Sequence, residues 1–246
     1  MILSLARLAA TWFLISVVQP TAPDVPVLLR KFETTYHASK TMRASFLERY
    51  LDNGKEVRSE AGVAYFARPG KMRWEYVSPE LNLYVVDGKW SWFYVPADHT
   101  VTRIRAKQST DARTPLALLA GEMKVSRICK SLDADAAARP SVLVGVVLRC
   151  ILRGSENSSR VAANGQGRDV PVENNYALFE LNPVNGELLR VLVAEPGGVQ
   201  IEFRFTNWEF GPRIDDSMFH FQAPKGVAIV DGDLGVSDAS GAKQTR

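Results

Sequence analysis

The sequence predicts a mainly β protein of α+β type, a single domain of about ten or eleven strands with two helical insertions. Apolar and polar side chains alternate over most of the chain, the period of strands that cover one face. Turn-forming clusters separate those runs, as at Asp52-Asn53-Gly54, Arg68-Pro69-Gly70 and Asp87-Gly88; proline presets its own φ, and glycine takes positive φ without steric cost. The helical period is confined to two short stretches, so the sheet supplies the layer that must be buried. A chain of 246 residues folding as one domain buries about 70% of its unfolded surface.

Residues 1–22 read as an export signal: Arg7, an apolar run from Leu8 to Val18, then Pro20, Thr21 and Ala22. The run is short for a bilayer span, although an uncleaved anchor is the alternative. Cleavage is placed between Val18 and Asp24. The cysteines, Cys129 and Cys150, lie far from this point, so no acylation site follows the signal and a soluble mature protein is expected.

Val25, Leu28, Leu29, Phe32 and Tyr36 then recur at helical spacing behind Asp24, a suitable N-cap. At Thr41 the period shortens to two. Met42, Ala44 and Phe46 share one face, and the chain returns through Gly62, Ala64 and Phe66. Strands follow over 71–77, 81–87, 89–95 and 99–106. Met72, Trp74 and Tyr76 oppose Arg73, Glu75 and Val77, while Trp90, Trp92 and Tyr94 oppose Ser91, Phe93 and Val95. A second helix is expected from Thr114, with Pro115 in its first turn, to Gly121, its apolar side formed by Leu116, Leu118 and Leu119. Strand patterns resume over 123–131 and 141–152, the latter with Val142, Leu143, Val144, Val146, Val147 and Leu148. The polar stretch from Gly154 to Glu173 reads as a flexible loop. Strands over 175–182, 187–194 and 198–209 close a domain placed at 23–230, and residues 231–246 read as a disordered tail.

No nucleophile elbow, phosphate loop, Cys-x-x-Cys pair or His-Glu-x-x-His helix occurs. His37, His99 and His220 stand apart in sequence, and Glu75, Glu80 and Asp87 read as solvated strand or turn carboxylates. Neither catalysis, cofactor nor metal is expected. The formal charge of +3, without a basic aromatic platform, gives no sign of nucleic-acid binding. Cys129 and Cys150 are read as a disulfide on neighbouring strands in an oxidising compartment, with two buried thiols as the alternative. What remains is apolar surface. Phe46, Phe66, Met72, Trp74, Leu83 and Trp92 are expected on the concave side of the sheet, faced by Leu28, Phe32, Leu116 and Leu119 from the helices. Each alone is better explained as plain core. Arg68 shares strand parity with Phe66 and is expected at the covered side or its rim, where an unpaired guanidinium is costly.

The run Ala67 to Pro96, with its Arg-Pro turn, aromatic strand, Asp-Gly and Trp-Phe-Tyr-x-Pro, resembles the periplasmic lipoprotein carrier family, LolA. Thr114-Pro115 before an aliphatic helix and the closing Phe-x-Phe-x-x-Pro-x-Gly-Val at Phe219 to Val227 add to the resemblance, which runs from about Val25 to Val230 and weakens over Ser131 to Glu173. It implies a strongly curved antiparallel half-barrel of about eleven strands, with a helical lid over a hydrophobic cavity that takes lipoprotein acyl chains. It also implies that Arg68 latches the empty lid by bonding to backbone carbonyls of the lid helices. Implied partners are acylated lipoproteins, an inner-membrane lipoprotein-releasing ABC transporter and an outer-membrane acceptor, for a monomer in the periplasm. A half-barrel sensor of lipid or lipoprotein that controls an envelope regulator is the second reading, and a secreted hydrolase with a convergent site the third.

Overall fold

The computed structural model describes residues 23–106, 116, 119–121, 124–153, 176–194 and 197–232. The chain order is α1 (Val25–His37), β1 (Thr41–Asp52), β2 (Lys55–Ala67), β3 (Lys71–Ser78), β4 (Leu83–Asp87), β5 (Trp90–Val95), β6 (Thr100–Arg105), α2 (Val125–Ile128), β7 (Cys129–Ala134), β8 (Val146–Leu152), β9 (Tyr176–Leu181), β10 (Leu188–Ala194), β11 (Val199–Phe210) and β12 (Ala228–Asp231). All twelve strands form one sheet, ordered β12-β6-β5-β4-β3-β2-β1-β11-β10-β9-β8-β7. The strands β1–β6 and β7–β11 each run as an antiparallel meander, and the two meanders meet where β1 pairs with β11. Register shifts at Arg43/Ser45 and Tyr50/Leu51 interrupt the long strand β1; such bulges bend a strand and increase its twist. Gly62 sits where a side chain cannot: a Cβ there would lie 1.9 Å from the Glu75 carbonyl oxygen and 2.9 Å from the Phe46 ring.

The helix α1 starts where the Asp24 carboxylate accepts the Val27 N–H at 3.0 Å, satisfying one of the free amides of its first turn. Its buried stripe is Leu28, Phe32 and Tyr36. Lys31 donates to the Pro183 carbonyl at 2.8 Å and Thr35 to that of Asn185 at 3.0 Å, so the helix rests on the β9–β10 turn. The Leu188 N–H donates to the Tyr36 hydroxyl at 2.9 Å. Cys129 and Cys150 are bonded, with Cα atoms 5.3 Å apart, and both are buried in the main core.

Two expected strand boundaries are corrected. Residues 125–128 form a helical turn rather than strand; Val125, Ile128 and Cys129 have helical spacing, and the Arg127 N–H closes on the Lys124 carbonyl at 2.8 Å. The strand expected from 141 begins at Val146, because the Ser141 and Val142 amides donate to the Glu180 carboxylate instead of a neighbouring strand. The apolar run that suggested a strand there is exposed: Val142 by 43%, Leu143 by 103% and Val144 by 61%. A twelfth strand exceeds the expected number. It pairs parallel to β6 and reaches Asp231, past the expected domain end, where Arg103 binds the Asp231 carboxylate at 2.7 and 3.0 Å. Of the second helix only Leu116 and Leu119–Gly121 are described, with the Leu119 N–H on the Leu116 carbonyl at 2.9 Å. Residues 1–22, the loop assigned to 154–173 and the tail from 233 lie outside the described residues.

Candidate functional site: the covered concave face

Even-numbered residues of β1 up to Tyr50, of β2 from Arg58 and of β3 up to Tyr76 line the concave side. Met42↔Phe66↔Met72 and Ala44↔Ala64↔Trp74 are in register across the three strands, so the alternation of each strand adds to one apolar face. Trp74 is its centre, with ring centroids 4.7 Å from Phe46, 5.8 Å from Phe66 and 5.5 Å from Phe203 on β11. Leu28 and Phe32 of α1, together with Leu116 and Leu119, are buried in the same cluster as Phe46, Phe66, Met72 and Trp74. The face is filled rather than hollow among the described residues. Trp74, Phe66, Phe203, Met42, Leu116 and Leu119 are all fully buried, and the gap beside Arg68 amounts to about 10 Å³.

Two residues of the expected set lie elsewhere. Leu83 pairs with Glu75, and Trp92 with Val85 and Arg103, which puts both on the convex face. The cause is the β3–β4 turn. The Tyr76 N–H donates to the Asn82 carbonyl at 2.9 Å and Trp74 faces Tyr84, so Tyr84 and Val86, not Leu83, continue the concave row. On β5 it is Phe93, paired with Tyr84, that packs against the main core. The outer tryptophans have other partners. Arg105 and Arg103 stack on Trp90 at 4.1 and 4.5 Å, and Phe221 covers Trp92 with ring centroids 5.4 Å apart. The Asp87 carboxylate holds the turn by accepting from the Trp92 indole at 3.0 Å and from the Trp90 and Lys89 amides. Burial raises that carboxyl, but these hydrogen bonds outweigh it and bring it below the usual range.

Arg68 crosses from the sheet to the end of α1. Its guanidinium donates to the Tyr36 carbonyl at 2.7 Å, to the His37 carbonyl at 3.4 Å and lies 2.9 Å from His37 Nδ1. Carbonyls at a helix C-terminus lack intrahelical donors and carry the negative end of the dipole, so a cation is favoured there. The same side chain touches the segment after Leu119: a Cβ on Gly121 would lie 3.2 Å from the guanidinium carbon, and the Gly70 N–H donates to the Ala120 carbonyl at 3.2 Å. Burial lowers the Arg68 pKa from its ordinary value, and a guanidinium stays charged despite such a shift.

The concave row also contains a charge that alternation alone could have revealed. Glu48 follows Phe46 on the same face, is 0% exposed, and accepts from the Tyr50 and Tyr76 hydroxyls at 2.8 and 2.5 Å. Glu60 lies opposite it in register and binds Arg58 at 2.5 Å. Across the sheet, on the convex side of β9–β11, Glu180 and Glu202 are buried with Arg190 between them, at 2.8 and 3.3 Å. Glu202 also binds Arg49 at 2.6 Å and Arg204 at 3.0 Å. Residues 135–145 lie over this network. The Glu180 carboxylate accepts from the Ser141 amide and hydroxyl and the Val142 amide, and a Cβ on Gly145 would lie 2.2 Å from its Oε1. His37, His99 and His220 occupy separate places, at the end of α1, before β6 and after Phe219, and the described residues contain no group of three His, Cys, Asp or Glu placed to hold a metal.

The fold and this face define a class: a single open curved sheet whose apolar concave side is covered by a helix and a short apolar segment. A family model described as outer membrane lipoprotein carrier protein LolA matches residues 37–137, and one described as predicted periplasmic protein (DUF2092) matches residues 182–231. The outer-membrane lipoprotein carrier protein of Chromobacterium violaceum is 28% identical over 214 residues, covering 86% of this chain and 91% of that protein. Its namesake in Nitrosomonas europaea is 28% identical over 204 residues, covering 82% and 88%. An uncharacterized conserved protein from Thermus thermophilus, of known structure, superposes with a TM-score of 0.48 at 13% identity, covering 83% of this chain and 97% of that one. The LolA family model over residues 37–137 and the two carrier proteins, over more than four fifths of this chain, are what this chain resembles in sequence.

Proposed function

We propose that this protein is a periplasmic carrier that takes acylated lipoproteins from the inner membrane to the outer membrane, shielding their acyl chains against the concave face. One observation carries the reading. The apolar face formed by Phe46, Phe66, Met72 and Trp74 is buried together with Leu28 and Phe32 of α1 and with Leu116 and Leu119, and the Arg68 guanidinium ties the end of α1 to the rim of the sheet. An acyl chain gains about 0.8 kcal/mol per methylene buried, so α1 and the Leu116–Gly121 segment must give way for it to enter. Aromatic and methionine side chains offer apolar contact that adapts to a flexible ligand. In the empty state the cover occupies the face itself, held by Arg68 as a latch, and closure competes with lipid and favours its release. The carrier receives cargo from an inner-membrane ABC exporter and passes it to an outer-membrane acceptor; no catalytic step, cofactor or metal is assigned to it.

The test is incubation with inner-membrane vesicles containing a labelled lipoprotein. ATP-dependent appearance of a soluble one-to-one complex is the expected result. Release that does not depend on this protein, or purified protein that never retains acyl lipid by mass spectrometry, would overturn the reading.

A further inference from the structure

The side chain of His37 is a polar contact that the closure described above does not by itself require. Its Nδ1 lies 2.9 Å from Arg68 Nη1. A guanidinium has only N–H donors, so the bond exists only while Nδ1 offers a lone pair and the ring's proton is on Nε2. Arg68 reaches α1 through three acceptors at its last residues, and Nδ1 is the one whose capacity changes with pH. Protonation replaces this acceptor with a second cation at hydrogen-bond distance from the first.

We propose that His37 is a positioning residue of the Arg68 closure, holding the guanidinium on the end of α1 only while its ring is neutral. The inference rests on the reading of Arg68 as the latch of an acyl-binding face. The charged groups around this junction, among the described residues, are Glu33 one turn earlier on α1, Arg68 from the β2–β3 turn and Lys124 before α2, which line the same small gap. The sign follows: the closed state is the one that loses a bond when Nδ1 is protonated, so closure weakens as pH falls. A competing structural role has the opposite sign. An imidazolium at a helix C-terminus is stabilised by the helix dipole, and His37 acting only as that charge would make α1 firmer in acid.

The experiment measures binding of a neutral fluorescent fatty alcohol, which does not itself titrate, at pH 5.5 and pH 8 by the full-length protein. It is paired with hydrogen exchange of the α1 amides in the absence of lipid. Wild type is expected to bind the probe about tenfold more tightly at pH 5.5, the factor that corresponds to one charge-assisted hydrogen bond, and to show weaker α1 protection there. His37→Gln, which keeps an acceptor that does not titrate, is expected to bind weakly and protect α1 at both pH values. His37→Leu is expected to bind tightly at both. A wild-type pH dependence that survives in His37→Gln, or α1 protection that rises in acid, would overturn the proposal. Failure of every variant, Arg68→Leu included, to bind the probe would instead count against the carrier reading, and the exchange data would still decide the role of His37.

Discussion

On the concave side the cover is α1, whose Leu28, Phe32 and Tyr36 are buried in the same apolar cluster as Phe46, Phe66 and Trp74, with Arg68 at its end. On the convex side of β9–β11 the cover is residues 135–145, tied down by the Glu180 carboxylate over a buried network of Arg190, Glu202, Arg49 and Arg204. The same sheet is buried on both sides by different means. Apolar contact is non-directional, so one apolar group can replace another without leaving a polar group unpaired. A buried ion network has no such substitute, since removing one member strands its partners. One cover is thus suited to exchange of its apolar contacts and the other to permanence.

The comparison can be broken most readily at its permanent side. Glu202→Leu leaves Arg49, Arg190 and Arg204 directed at an apolar side chain and is expected to cost about 3 to 5 kcal/mol, read as a lowered urea midpoint. A loss under 1 kcal/mol would place the network with ordinary surface pairs. Next in size, replacing Cys129 and Cys150 together by serine removes a crosslink spanning 21 positions and is expected to lower stability by about 3 kcal/mol, with the concave face still formed. Absence of the bond would be revealed by two alkylatable thiols in denatured, unreduced protein.

On the exchangeable side, Arg68→Leu removes charge-assisted bonds worth about 1.5 to 3 kcal/mol, and only from the closed state. Loading from inner-membrane vesicles should persist while delivery to an outer-membrane acceptor slows, as expected when one of two competing states is selectively weakened. Equal delivery by mutant and wild type, or a defect confined to loading, would remove the latch. The smallest effect concerns acid. Burial raises the Glu202 carboxyl, but hydrogen bonds from Arg49 and Arg204 outweigh this and hold it below its ordinary value of 4.5. Its folded-state pKa is therefore depressed, so its stabilisation is complete above the unfolded value and is lost as pH falls through the folded one. The difference in stability between wild type and Glu202→Gln should shrink below about pH 4.5. A difference that stays constant from pH 7 to pH 3 would exclude this carboxylate as a contributor.

The parts that could be read in the sequence are those where one physical signal dominates. Strict alternation placed Phe46, Phe66, Met72 and Trp74 on one face, and Asp24 with the Leu28–Phe32–Tyr36 spacing gave α1 its boundaries. Leu83 and Trp92 were misplaced because hydrophobicity does not report which side of a turn a strand resumes on; the Tyr76–Asn82 pairing decides it. The run Val142–Val144 looks like a buried strand because composition does not reveal that its neighbouring amides are taken by Glu180, a residue nearly 40 positions away (|i−j| = 39). For β12 there was little to read: four exposed residues added to the edge of β6 bury almost nothing, so their pattern has no reason to alternate. Glu48 was accessible to parity but not to a search for catalytic spacings.

The seam between β1 and β11 has a kinetic consequence. Each meander is made of neighbouring strands that can zip up locally, but the seam joins distant positions such as Arg43 and Glu209, 166 apart. Loop closure over that distance has to precede its reward, so high contact order makes this the slow event of folding. Trp74 meets Phe203 and Phe205 only across it. A nascent chain that has not yet released β11 therefore has half a floor, and the apolar concave face is completed late, once β11 has joined β1.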